Sequence, residues 1–326
     1  MEQRRFAGKG HWYHETQSSR SPADVLPLVP EAARVNDRFL LDLAIPDGIL
    51  VASGDWLAPA RALCIHLFPL DLPVTRLCTL SAYDRVSAAL TVAQACGVQR
   101  LCNYYAALLA PLPGPDSSRE SNRRLAQMTQ YARQLASSPD VIDARAQQQL
   151  DEVGLTTNDI ILLNQIIGFT GFQARTVAAG QALLGYPVRW LPGHTIQPHT
   201  HPFNDEMVAS ALPPVELRYA TAAQNEALVR WQAEPELRAL TPVLCHDVGS
   251  LDLTGDLLQS GLRPALTQPL SEPLELLLIS PDRFSAAHFA LLRQEGMSDG
   301  EAFGLLAGIG YRGWLARLRV GLRGGE

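Results

Sequence analysis

Two segments of this chain match each other at a fixed spacing, and that match constrains the fold more than any other feature. Gly154-Leu-Thr-Thr-Asn-Asp159 opens the first and Gly296-Met-Ser-Asp-Gly-Glu301 the second, a spacing of 296 − 154 = 142 residues. Holding that spacing, Leu163 meets Leu305, Ile167 meets Ile309, Gly168 meets Gly310 and Gly171 meets Gly313. Phe172 then falls opposite Trp314, Ala174 opposite Ala316 and Arg175 opposite Arg317. Seven of the 22 aligned positions are identical and five more are close exchanges, where composition alone predicts about one or two identities. Each copy opens with a capping pattern, Thr156…Asp159 and Ser298…Glu301, in which hydroxyl and carboxylate satisfy the orphan donors of a helix start. The paired glycines leave bare patches where another backbone approaches closely. The pattern predicts a tandem duplication of one helical unit.

The rest of the chain reads as helix too. Phe39, Leu40, Leu43 and Ala44 have helical spacing before the turn Pro46-Asp47-Gly48. Trp56 to Phe68 is a helical stretch closed by Pro69, and Ser81-Ala-Tyr-Asp84 caps a helix running to Gly97. Further helices follow over Leu101–Leu109, Asn122–Leu135 and Val141–Glu152. Long β-branched runs with period-two alternation are missing, so the predicted class is all-α. Gly308-Ile-Gly310-Tyr-Arg-Gly313 formally matches a dinucleotide-binding fingerprint. That fingerprint needs a preceding strand and a helix starting within it, whereas here it lies inside a repeated helix.

The 326 residues suit two domains. The division read from the sequence is an N-terminal arm (1–36), a helical domain (37–190), a His/Pro-rich linker (191–213) and a degenerate second copy (214–326). Apolar residues at 47% and charged ones at 18% supply a core and exclude a disordered chain. With 27 Lys plus Arg against 33 Asp plus Glu and a net charge of −6, no polybasic face for nucleic acid is present. No apolar run has the length of a secretory signal or a membrane span, so a cytoplasmic, membrane-free protein is expected. Five cysteines are too few and odd in number for a disulfide framework.

Leu80-Ser-Ala-Tyr-Asp-Arg-Val through Ala95-Cys96-Gly-Val-Gln-Arg-Leu-Cys102 to Leu109 resembles the core of the carboxymuconolactone decarboxylase/AhpD-like alkylhydroperoxidase family. Gly154-Leu-Thr-Thr-Asn-Asp-Ile and Gly171-Phe-Gln-Ala-Arg175 are similar to its later helices. The resemblance covers about residues 37–190, is nearest to YciW-type, peroxidase-related members, and makes the second copy a worn version of the same unit. It implies a helical homo-oligomer. In the peroxidase branch a Cys-x-x-Cys at a helix start, a following His and a Glu on the preceding helix produce a peroxidatic thiolate and a resolving thiol. Aligning the second cysteine on Cys102 puts Gln99 at the first, Tyr105 or Ala106 at the His and Val86 or Ser87 at the Glu, with Asp84 the nearest carboxylate. In the second copy Arg283 to Leu292 resembles the same helix, with Ser285 at the Cys place and His288 at the His place.

Cys102 is therefore the candidate nucleophile, with Tyr105 on the same helix face, Asp84 as a replacement carboxylate and His288 as the imidazole of the other copy. A lone Cys among Leu101, Tyr105 and Leu108 reads equally as a small core residue. Cys96 and Cys102 would sit about 9 Å apart in one continuous helix, too far to bridge, unless Gly97 ends the first helix. Cys64, Cys78 and Cys245 read as core or incidental thiols, and Cys64-Ile-His66 and Cys245-His246 as structural. His199-Thr-His201, near His194, Asp205 and Glu206, has the residue types of a metal site, though prolines there mark a linker. Arg175 and Arg317 are expected to pair with a carboxylate within each repeat. Two functions stand open. One is a cofactor-free peroxidase-related oxidoreductase that turns over a hydroperoxide with a small thiol reductant through Cys102. The other is a non-catalytic binding or assembly scaffold. Lactone decarboxylation needs a paired His and carboxylate, and the first copy lacks the His.

Overall fold

The computed structural model describes residues 30–69, 72, 74–188, 206, 207, 209–262 and 270–324. Among these the chain is all-helical, and the one β-type pairing is an isolated bridge between Ser210 and Arg323. The first half holds α1 (Asp47–Ala52), α2 (Gly54–Leu67), α3 (Ala82–Cys96), α4 (Gln99–Leu109), α5 (Arg119–Ser137), α6 (Ala144–Glu152) and α7 (Thr157–Leu183). The second holds α8 (Ala222–Gln232), α9 (Thr241–Leu244), α10 (Val248–Gln259), α11 (Glu272–Ile279), α12 (Ala286–Gln294) and α13 (Asp299–Leu322). Among the described residues no helix is long and apolar enough to cross a membrane.

Local chemistry explains the helix starts. Ser81 Oγ accepts from the Asp84 amide at 3.1 Å while the Asp84 carboxylate accepts from the Ser81 amide at 3.0 Å, a complete capping box. The same reciprocal pair starts α7 at Thr156 and Asp159 and α13 at Ser298 and Glu301. Gly97, at φ 70°, ends α3 in the left-handed conformation. The chain thus turns between Cys96 and Cys102 rather than carrying them on one helix.

Two stretches differ from their sequence reading. Residues 39–42 form a turn, not a helix, with Leu41 and Asp42 at φ 55° and 50°. The cause is side-chain competition for backbone donors. Asp37 Oδ1 accepts from the amides of Phe39 and Leu40 at 3.0 Å, and the Asp42 carboxylate accepts from those of Asn36 and Asp37. The helix expected from Val141 begins at Ala144, because Pro139–Val141 is a 3-10 turn and Asp143 caps α6 through the amides of Arg145 and Ala146.

α7 is buried around nearly its whole circumference, the mark of a central helix. It packs along α13. At their crossing a Cβ on Gly168 would lie 1.8 Å from Trp314 Cδ1, and one on Gly310 would lie 3.1 Å from Phe172. The rings of Phe172 and Trp314 stack there with centroids 6.1 Å apart. The contacts are reciprocal, since 310 − 168 and 314 − 172 both equal 142. Element boundaries repeat at the same spacing. α5 ends at Ser137 and α11 at Ile279, 3-10 turns follow at Pro139–Val141 and Pro281–Arg283, and α6 and α12 start at Ala144 and Ala286.

The two repeated arginines also act reciprocally. Arg175 Nε donates to the Leu278 carbonyl at 3.0 Å, and Arg317 Nη2 donates to the Ala136 carbonyl at 2.8 Å. Again 278 − 136 = 142. These acceptors lie in the last turns of α11 and α5, where carbonyls lack helical partners and the helix dipole is negative. Each guanidinium therefore closes a helix of the opposite half, and for Arg175 the partners are the Leu278 and Gly171 carbonyls and the Cys96 sulfur rather than the carboxylate expected within its repeat. With α2 packed on α10 as well, the halves interlock.

Candidate functional site

α4 carries the residues singled out by the sequence. Its start, at Val98, has no side-chain cap. Cys102 lies one turn in, its amide bonded to the Val98 carbonyl at 3.0 Å, and its side chain faces the core with the residue 8% exposed. Burial pushes the Cys102 thiol far above the usual thiol range, and the neighbouring Cys96 thiol pushes in the same direction. A thiol in this state is neither ionised nor accessible at neutral pH. Both cysteines are free. Cys96, at the end of α3, has Arg175 Nη1 at 4.0 Å from its sulfur.

The other three candidates are engaged in holding the fold. Tyr105 is expected to face a thiolate or peroxide oxygen. Instead its hydroxyl donates to Gln173 Oε1 at 2.7 Å, and Gln173 Nε2 donates to the carbonyls of Arg38 and Phe39. That chain ties α4 to α7 and to the turn at 39–42, and burial raises the Tyr105 pKa well above its ordinary value. The Asp84 carboxylate accepts both the amide and the hydroxyl of Ser81, so it caps α3 and is turned to its own helix start. His288 Nδ1 takes the amide of Ser285 at 3.1 Å and lies 2.8 Å from its hydroxyl, with the ring stacked on Phe284. The spacing of 142 residues that matches the long helices places Ser285 on Asp143, the cap of α6. The helix of His288 thus corresponds to α6 and not to α4, which corrects the alignment of Ser285 and His288 with the Cys102 region.

Beside α4 is a pocket of about 400 Å³. Gln99, Arg100 and Asn103 line one wall, Gln181 of α7 another, and Asp282 and Phe284 of the second half a third. Cys102 is not among its lining residues. The pocket shares the helix with the thiol but offers it no opening. Arg100, in that wall, donates to the Leu41 carbonyl through Nε at 3.1 Å.

Sequence reading missed one cluster altogether. His66 Nε2 of α2 lies 3.0 and 3.1 Å from the two carboxylate oxygens of Asp247, which caps α10 through the Ser250 amide. Nearby, the buried Arg85 guanidinium meets the Cys78 sulfur at 3.4 Å. The hydrogen bond to Asp247 raises the His66 pKa above its ordinary value against the effect of burial. Burial alone would raise Asp247, but hydrogen bonds from His66 and Ser250 outweigh it and the net shift is downward. No sequence signal joins these two residues, which stand 181 positions apart.

His194, His199, His201 and Asp205 lie outside the described residues. Among the described residues no group of three or more His, Cys, Asp or Glu side chains is placed to hold a metal ion. No protein-family model matches the chain, and no curated protein matches it.

Proposed function

We propose that this protein is a non-catalytic binding or assembly scaffold built from two AhpD-like helical units, and that Cys102 performs no peroxidase chemistry. The observation that carries this reading is the enclosure of Cys102. A peroxidatic cysteine must present a thiolate to the O–O bond and then accept attack by a reductant on its sulfenic acid. The Cys102 thiol is sealed in the core with its pKa pushed upward, and Tyr105, Asp84 and His288 each spend their polar atoms elsewhere. Support for the duplicated unit comes from the reciprocal contacts of Gly168 with Trp314 and Gly310 with Phe172, and of Arg175 with Leu278 and Arg317 with Ala136. In such a scaffold the pocket beside α4 has room for a ligand. Association of copies through their helices, which the family resemblance implies, belongs to the same proposal.

Iodoacetamide labelling of the native chain, mapped by peptide mass, tests it. Cys102 is expected to react at least about 100-fold more slowly than in the urea-unfolded chain, since the reagent must wait for local opening. Native labelling of Cys102 at the unfolded rate would overturn the reading.

A further inference from the structure

The pocket beside α4 has a filled counterpart in the other half of the molecule. The spacing of 142 residues puts Gln99, Arg100, Asn103 and Gln181 of its walls on Thr241, Pro242, Cys245 and Arg323. It also puts Pro281-Asp282 on an identical pair, Pro139-Asp140, and the start of α4 at Gln99 on the start of α9 at Thr241. In the second half, residues 209–215 cross this place as non-helical chain held by its backbone. The Ala211 amide donates to the Leu322 carbonyl at 3.1 Å and the Gly324 amide to the Ala209 carbonyl at 2.8 Å, around the antiparallel bridge of Ser210 with Arg323. The Val215 amide donates to the Pro242 carbonyl at 3.0 Å, and His246 Nε2 meets the Pro213 carbonyl at 3.0 Å. Pro213 and Pro214 hold the chain extended, and Leu212, Thr241 and Cys245 are all buried.

On the first half the same place is open. Gln99 and Asn103 are only half-buried, and a space of about 400 Å³ lies between the walls, within the range of about 300–1,000 Å³ common to ligand sites. Among the described residues the side-chain amides of Gln99, Asn103 and Gln181 have no hydrogen-bond partner. Each primary amide carries both a donor and an acceptor, the two groups that a peptide backbone offers in return. Arg100 already gives Nε and Nη2 to the Leu41 carbonyl. With Asp282 on another wall, the lining holds one charge of each sign and favours neither. Pro281, Phe284 and Val188 add apolar surface.

We infer that the pocket beside α4 binds an extended, uncharged, proline-containing peptide segment of a partner protein. The segment lies across the start of α4 as residues 209–215 lie across α9. Its backbone pairs with the amides of Gln99, Asn103 and Gln181, and an apolar side chain is set against Phe284. Side chains take over from main chain here for a local reason. α13 ends at Leu322 and leaves that carbonyl to Ala211, whereas α7 runs on to Leu183 and the matching Gly180 carbonyl is taken by the Leu184 amide at 3.1 Å. Backbone pairing with pockets for a few side chains is a general mode of peptide docking. Residues 209–215 are already engaged on the second half, so the occupant comes from another protein. Such an occupant rests on the scaffold reading, to which it adds the class of ligand.

The probe is the peptide Ala-Ser-Ala-Leu-Pro-Pro-Val, the sequence of residues 209–215, labelled with fluorescein at its N-terminus and amidated at its C-terminus. Fluorescence anisotropy with the full chain should show saturable binding. Asn103→Leu and Gln181→Leu should each weaken it at least about tenfold, because a peptide group is left unpaired. N-acetyl-leucinamide, which has the side chain without the extended backbone, should not displace the peptide. Circular dichroism checks that both variants keep the helical fold. Should either unfold, hydrogen exchange in the wild type decides, and the peptide should slow exchange in fragments covering residues 97–103. No saturable binding, displacement by N-acetyl-leucinamide, unaltered binding in both folded variants or unchanged exchange at 97–103 would overturn the inference. A dimer that forms without peptide binding and is abolished by both variants would assign the pocket to a second copy and overturn it as well. Failure of the peptide while Cys102 stays slow to alkylate leaves the scaffold reading standing, whereas fast alkylation of Cys102 overturns that reading whether or not the peptide binds.

Discussion

Single side chains in this protein are judged by what they already hold. The Tyr105 hydroxyl and the Gln173 amide close a hydrogen-bonded chain to the carbonyls of Arg38 and Phe39 in a fully buried setting. Tyr105→Phe leaves Gln173 Oε1 without its donor. A loss of about 1–3 kcal/mol of stability in urea denaturation is expected, and an unchanged midpoint would show that the bond contributes nothing. The glycines of the long helices give a sharper contrast. Gly168→Ala drives a methyl into the Trp314 ring, and a cost of about 2–3 kcal/mol is expected from overpacking. Gly304→Ala, in α13, meets nothing within 4 Å. There the substitution should stabilise the chain by about 0.5–1 kcal/mol, since helix propensity is the only force changed. Equal effects at the two positions would contradict the close crossing of α7 and α13.

Elements were legible in the sequence where the signal is local. Ser81 with Asp84, Thr156 with Asp159 and Ser298 with Glu301 each lie three residues apart, and all three start the helices they announce. The fingerprint-like glycines 308, 310 and 313 lie inside α13, within a helix as expected. The turn at 39–42 was hidden because Phe39, Leu40 and Leu41 are apolar and buried, so their spacing imitates a helix while Asp37 and Asp42 take the amides. The role of His288 was hidden because an imidazole substitutes for the usual carboxylate of a capping box. Contacts such as His66 with Asp247 leave no trace in a single sequence. That pair links α2 to the start of α10 and should make stability depend on pH. The His66 pKa is raised above its ordinary 6.5, so its contribution is full below that value and is lost as pH rises through the folded pKa. The Asp247 pKa is lowered from 3.8, so its contribution is full above that value and is lost as pH falls through the folded pKa. Urea midpoints of the wild type should therefore fall between pH 6 and pH 8 relative to His66→Gln, in which that slope flattens. A parallel pH dependence in the two proteins would show that the pair does not govern it.

At the scale of the whole molecule, the 142-residue spacing read from sequence recurs in contacts that the spacing alone did not announce. Arg175 and Arg317 each close a helix of the opposite half, and α7 and α13 cross through complementary glycines and rings. The halves should therefore unfold together. Far-ultraviolet circular dichroism and tryptophan fluorescence should give one coincident urea transition, and two separated transitions would indicate independent domains. The α4 region shows the opposite relation between sequence and structure. Its family-like residues are present, but burial and side-chain bonding, which a sequence does not display, direct Cys102, Tyr105 and Asp84 into the framework. Hydroperoxide consumption tests that conclusion most directly. With cumene hydroperoxide and dithiothreitol, the wild type and Cys102→Ser are expected to consume the peroxide at the same rate. Turnover in the wild type that disappears in a folded Cys102→Ser would contradict it.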